Sequence, residues 1–146
     1  MKCRATSDSG AAMIEFVLLA VTLAVPLAYL LLAVFDVQRS AYGASSATRE
    51  AGRVFVRAPS TAVAEARANA AANISLADHG LSLADGELVI SCSASPCLTP
   101  GASVRVSFHT EVSLPLLPGV GTGNLTSLPV SASHTEVVDR YSEIRP

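Results

Sequence analysis

Tryptophan is absent from this chain of 146 residues, and aromatic residues make up only 5% of it. Such a composition speaks against a large ligand pocket walled by rings. Charge is also sparse: Asp, Glu, Lys and Arg amount to 15%, with ten basic residues against twelve acidic ones. A net charge of −2 lacks the basic excess of a nucleic-acid-binding surface, so no nucleic-acid partner is expected. There is no G-x-S-x-G, no H-E-x-x-H and no glycine-rich phosphate loop. His79, His109 and His134 are scattered, and none stands at metal-ligand or nucleophile spacing from a partner. His79 lies near a helix end, where a cation is favoured, and His109 falls on the outward face of its strand. Asp78, Asp85 and Glu87 cluster in a loop, but fall short of the ligand count of a dedicated calcium site. The sequence therefore predicts no catalytic site, no metal and no cofactor. Asn73-Ile74-Ser75 and Asn124-Leu125-Thr126 are glycosylation sequons of a length that recurs by chance.

Cysteine is limited to three positions, Cys3, Cys92 and Cys97. The last two frame Cys92-Ser93-Ala94-Ser95-Pro96-Cys97, with no second Cys or His pair at zinc spacing. In an oxidising compartment a disulfide between Cys92 and Cys97 is the natural reading, pinning a turn; two free thiols are the alternative.

What the chain has in abundance is apolar sequence. Half of its residues are hydrophobic, and from Phe16 to Phe35 no residue carries a charge. A helix of about 20 residues rising ~1.5 Å each covers the ~30 Å hydrocarbon core of a bilayer. One ionisable group, Glu15, stands at the edge of this run, where a carboxylate is costly and needs a reason. Before it, residues 1–10 form a polar stretch with Lys2 and Arg4 against Asp8. That small cationic bias places the N-terminus on the cytoplasmic side and the remainder across the membrane. The run exceeds the ~7–15 residues of a secretory signal core, and conventional signal cleavage is a minor alternative. Pro26 interrupts it, as membrane helices tolerate.

Beyond Phe35, roughly 110 residues suffice for one small domain. Val34, Val37, Ala41, Ala44, Ala47, Ala51, Val54 and Ala58 recur at spacings of three and four, predicting that the helix continues until Pro59 ends it. Gly43 and Gly52 weaken it by ~1 kcal/mol each relative to Ala. Ser60 or Thr61 caps a second helix from Ala62 to about Ala77, with Ala62, Val63, Ala66, Ala70, Ile74 and Ala77 as its apolar face and Gly80 as its stop. From Gly86 the period becomes two. Leu88-Val89-Ile90 reads as a short buried strand. A second strand puts Val104, Val106, Phe108 and Val112 on one face, and Leu128 to Val138 forms a third. Pro100-Gly101 marks a turn, and the prolines and glycines of residues 114–122 exclude regular strand throughout. The expected fold is α+β, with three antiparallel strands packed on the helices and a polar tail from Asp139.

Gly10 followed by Ala11, with Glu15 and then Phe16, resembles the class III, type IV pilin-like leader that a membrane aspartic peptidase cuts after the Gly. Ala11 to Val37, Ala-Thr-Arg-Glu-Ala-Gly-Arg at 47–53, Val-Arg-Val-Ser-Phe with its Leu-Pro-Leu-Leu-Pro-Gly continuation, and the final Leu-Pro-Val-Ser-Ala-Ser-His-Thr-Glu extend the likeness. Over most of its length the chain is similar to the TadE-like minor pilins, or pseudopilins, of tight-adherence pilus systems. The resemblance implies a leader at 1–10, a transmembrane helix at 11–35 and an extracytoplasmic pilin-like domain at 36–146. It implies Gly10 and Ala11 as the processing site and Glu15 and Phe16 as assembly residues, Glu15 of one subunit facing the freed Ala11 amine of a neighbour. The implied partners are a prepilin peptidase, other pilin or pseudopilin subunits, platform membrane proteins and the lipid bilayer. The sizeable C-terminal domain favours a minor component over a bulk filament subunit. The competing reading is a single-pass, signal-anchored membrane protein whose extracytoplasmic domain binds a partner outside any filament.

Overall fold

A computed structural model describes residues 9–84, 87–113 and 127–142. Two helices, α1 (Ser9–Val56) and α2 (Thr61–Ala77), precede three strands, β1 (Leu88–Cys92), β2 (Ser103–Ser113) and β3 (Ser127–Val137). The strands form one antiparallel sheet in the order β1-β2-β3, so the protein is α+β. By contact density the chain divides after Phe35 into an N-terminal unit and a C-terminal unit, each described separately below.

In the C-terminal unit the last third of α1, α2 and one face of the sheet contribute to a single buried cluster. Ala44, Ala47, Ala51 and Ala58 are buried as the periodicity of α1 predicts. Other positions of that predicted stripe are not: Ala41 and Val34 are exposed and Val54 is only half-buried. The buried stripe instead includes Ser40, Gly43, Thr48, Gly52 and Phe55. The two hydroxyls can be buried because each is satisfied within the helix. Ser40 Oγ donates to Asp36 O (2.8 Å) and Thr48 Oγ1 to Ala44 O (3.1 Å), which removes the desolvation penalty that hydropathy assigns them.

Pro59 lies between the helices, and Ser60 caps α2 in extended geometry (φ −153°, ψ 161°), its Oγ accepting from Val63 N–H. The face that α2 buries differs from the expected one. Ala64, Ala68, Ala72 and Leu76 are inside, whereas Val63, Ala66, Ala70 and Ala77 are exposed and Ile74 is 66% exposed. Every fourth residue from 64 to 72 is alanine, and alanine is equally at home on either face. The small row at 64, 68 and 72, continued by Leu76, faces the core, and the larger Val63 and Ile74 are left to solvent. Gly80 ends the helix as expected, at φ +72°. Leu81 N–H donates to Leu76 O and Gly80 N–H to Ala77 O, the paired bonds of a Schellman motif.

The sheet follows its alternation. Val104, Val106 and Phe108 of β2 are fully buried and Val112 half-buried, while Arg105, His109 and Glu111 point outward. β1 is not buried through its length: it is an edge strand with Val89 52% exposed, because only one face of this sheet meets the core. β3 runs antiparallel along the whole of β2, pairing Val106 with His134 and Phe108 with Ala132. Pro100 and Gly101 (φ +80°) form the expected turn into β2. Cys92 and Cys97 are joined in a disulfide across a loop containing a cis Ser95–Pro96 bond, with Cα atoms 5.3 Å apart. The stretch at 114–122, Asp85, the sequon at 124–126 and the end of the polar tail lie outside the described residues.

Candidate processing and assembly site

The N-terminal unit is a helix whose first described turn already contains Ser9 and Gly10. The expected helical span begins at Ala11, whereas Ser9 and Gly10 of the expected leader are already helical; residues 1–8, with Cys3, lie outside the described residues. From Ala11 onward α1 has a mean hydropathy of 2.6 in its most apolar window, and none of that window is buried against protein. By length and composition it is an apolar helix able to serve as a single-pass membrane anchor or as a signal sequence. Pro26 lies inside it and leaves no N–H for the carbonyl of Thr22. The Thr22 hydroxyl is satisfied locally, donating to Leu18 O at 2.7 Å.

Ala11 and Glu15 are four residues apart on this helix, which places their side chains on one face about 5–6 Å from each other. Both are exposed, as is Phe16 beside them. Glu15 forms no ion pair with any described residue. The carboxylate thus stands on a bare helix one turn from the bond between Gly10 and Ala11, surrounded by Met13, Ile14, Phe16, Leu18 and Leu19, all exposed. Nothing within the described chain satisfies it. In an apolar medium such a group needs a cation from outside its own chain or a place at the water interface.

Several chemistry-bearing residues of the C-terminal unit have local structural partners. Glu87 is tied down twice: Oε2 accepts from Ala84 N–H (2.8 Å) and Oε1 from the Thr110 hydroxyl (2.6 Å), clamping the loop before β1. Asp78 is the C-terminal cap of α2, and Asp139 Oδ1 accepts from Tyr141 N–H. His79 follows α2 and His109 is exposed on β2, both as expected. His134 has a partner that a search for metal and nucleophile spacings passes over: its Nε2 lies 3.1 Å from Glu136 Oε1, with each side chain about one third exposed. Residues two apart on a strand share a face, so the strand assignment together with His-x-Glu was the available signal. Among the described residues no group of three or more His, Cys, Asp or Glu side chains is placed to share a metal ion.

Comparison with family models, with curated proteins and with solved structures finds no match.

Proposed function

We propose that this chain is a structural, membrane-inserted minor pilin or pseudopilin of the tight-adherence type. A prepilin peptidase cuts it between Gly10 and Ala11, and it then assembles with other pilin-like subunits and platform membrane proteins in the bilayer. The observation that carries the reading is the continuity of α1. One helix bears Ala11 and Glu15 a turn apart at the head of a charge-free run, and the same helix supplies part of the core of a small α+β domain. Cutting after Gly10 would leave a cationic amine at Ala11. In a bundle of such helices the Glu15 carboxylate of one subunit neutralises the Ala11 amine of the next and sets their axial stagger. Removing one member of a buried pair of this kind costs roughly 3–5 kcal/mol.

The test is the N-terminal sequence of protein recovered from membranes. Ala11 is the expected first residue; Met1 as first residue supports the signal-anchored alternative instead. Gly10→Ala is expected to leave the precursor uncut, and recovery of an Ala11 N-terminus from that variant would refute the assignment. Glu15→Leu is expected to be inserted and processed normally yet to be lost from filaments. Normal incorporation of that variant would remove the charge-pairing role.

A further inference from the structure

Between Ala11 and Phe35 the only side chains that bear a hydroxyl or a charge are Glu15, Thr22 and Tyr29, and each is seven residues from the next. Seven residues fall short of two full helical turns by about 20°, so the three stand on one face of α1. All three are exposed, Tyr29 by 45%. A row of this period is the seam along which two helices pack as a left-handed pair, crossing at about 20°. Polar groups within a membrane span face protein and not lipid, which marks this face as the one that meets a partner.

Two groups on this face are short of a partner, and they are complementary. Pro26, four residues after Thr22, has no N–H to give, so the Thr22 carbonyl is an acceptor without its helical donor. The Thr22 hydroxyl cannot serve, because its one proton goes to Leu18 O at 2.7 Å. Tyr29 supplies the opposite case: its O–H is a donor with no acceptor among the described residues. It lies six residues inside the end of the run at Phe35. Helical side chains lean toward the N-terminus, so the hydroxyl is carried deeper into the run and away from the water beyond Phe35. In hydrocarbon no water is at hand for either group, and leaving each unpaired is costly.

We propose that this face of α1 pairs in the membrane with the same face of a second copy, parallel and at equal depth, the Tyr29 hydroxyl of each copy donating to the Thr22 carbonyl of the other. The inference rests on the membrane-inserted reading of α1 but not on processing at Gly10. The residues flanking the run orient every copy alike, and the charge-free run of every copy fills the same slab of hydrocarbon, so orientation and depth are shared. At equal depth the lean of Tyr29 brings its hydroxyl level with the turn from Thr22 to Pro26 of the facing helix. The second copy thus supplies both the donor that Pro26 withholds and the acceptor that Tyr29 lacks. A lipid tail supplies neither, and a helix with an unbroken backbone ladder has no carbonyl freed at this depth. Leu18, Val25 and Leu32 alternate with the polar row and fill the layers between its members. The two Glu15 carboxylates stand at the edge of the run, where the same lean carries them outward to the level of Ala11.

Sedimentation equilibrium of the full-length chain in detergent micelles, run as a double-mutant cycle, tests it. The unaltered chain is expected to be dimeric. Tyr29→Phe removes the donor and keeps the ring, and Pro26→Ala returns an N–H to the Thr22 carbonyl. Each is expected to raise the dimer dissociation constant by about three- to tenfold, as for the loss of two interhelical hydrogen bonds. Because both act on the same bond, Tyr29→Phe in the Pro26→Ala background should add little. A monomeric unaltered chain overturns the proposal, as does a dimer that neither substitution weakens or two effects that simply multiply. In oxidised membranes, Val25→Cys in a Cys3→Ser background should give a disulfide-linked dimer, and Leu27→Cys, on the opposite side of the helix, should not. Equal yields, or a Val25→Cys adduct with another protein in place of the dimer, also overturn it. Alkaline extraction of the same membranes tells this failure from that of the membrane reading. A chain released by it was never inserted and refutes both, whereas a chain retained but not cross-linked refutes the pairing alone.

Discussion

Phe55→Ala is expected to lower the unfolding free energy of the C-terminal unit by about 3–5 kcal/mol, the usual cost of emptying a buried phenylalanine site. Val54→Ala, one residue earlier, is expected to cost about 1 kcal/mol or less, as for partly exposed positions away from special features. The contrast follows from burial: Phe55 is 1% exposed and belongs to the main cluster, while Val54 is half-buried. Both substitutions end in alanine within the same helical turn, so the helix-propensity gain is similar and the difference isolates the core. Urea unfolding of the full chain in detergent, followed by circular dichroism, gives both values. Equal midpoints would mean that the core side of α1 runs through Val54, as apolar periodicity alone suggests.

Gly43→Ala is expected to destabilise the protein by about 1–2 kcal/mol even though alanine is the better helix former by ~1 kcal/mol. A Cβ at position 43 would lie 2.8 Å from His79 Cβ. That atom is attached directly to backbone held by the bonds at the end of α2, so it cannot swing aside as a chain tip would. The origin of the cost is checkable by a double-mutant cycle. His79→Gly, which removes the opposing Cβ, should recover much of the Gly43→Ala loss, whereas His79→Ala, which keeps it, should recover little. Gly52→Ala is a milder case, since its Cβ would meet Glu136 Cγ at 3.1 Å, a methylene on a side chain with freedom to shift. A stabilised Gly43→Ala variant would show that propensity outweighs the close approach.

These two positions show why sequence reading succeeded in part. The strands were legible because β2 alternates cleanly, and a period of two leaves one choice of buried face once a single side is apolar. The helix ends were legible because Pro59, Ser60 and Gly80 act through local stereochemistry that needs no partner. Helix faces were not. In α2 alanine occurs on every side, and ranking positions by hydrophobicity selected Val63 and Ile74, the larger side chains that the fold exposes. In α1 the same ranking omitted Ser40 and Thr48, whose hydroxyls bond within the helix, and passed over Phe55 for Val54. At the candidate site the residue types and spacing of Gly10, Ala11, Glu15 and Phe16 were all visible. The inclusion of Ser9 and Gly10 in the helical turn was not, because a polar segment before an apolar run carries no periodicity to read.

Sequence alone determined that a charge-free run long enough to cross a bilayer begins at Phe16, with a carboxylate at its head and one small α+β domain behind it. Those features depend on composition and local spacing, which exist before folding. Tertiary structure decided which small residues face inward, and that Gly43 is a point of contact and not merely a weak spot in a helix. Each of these depends on what lies opposite a residue, and in a chain this rich in alanine and serine the side chains themselves leave that choice undetermined.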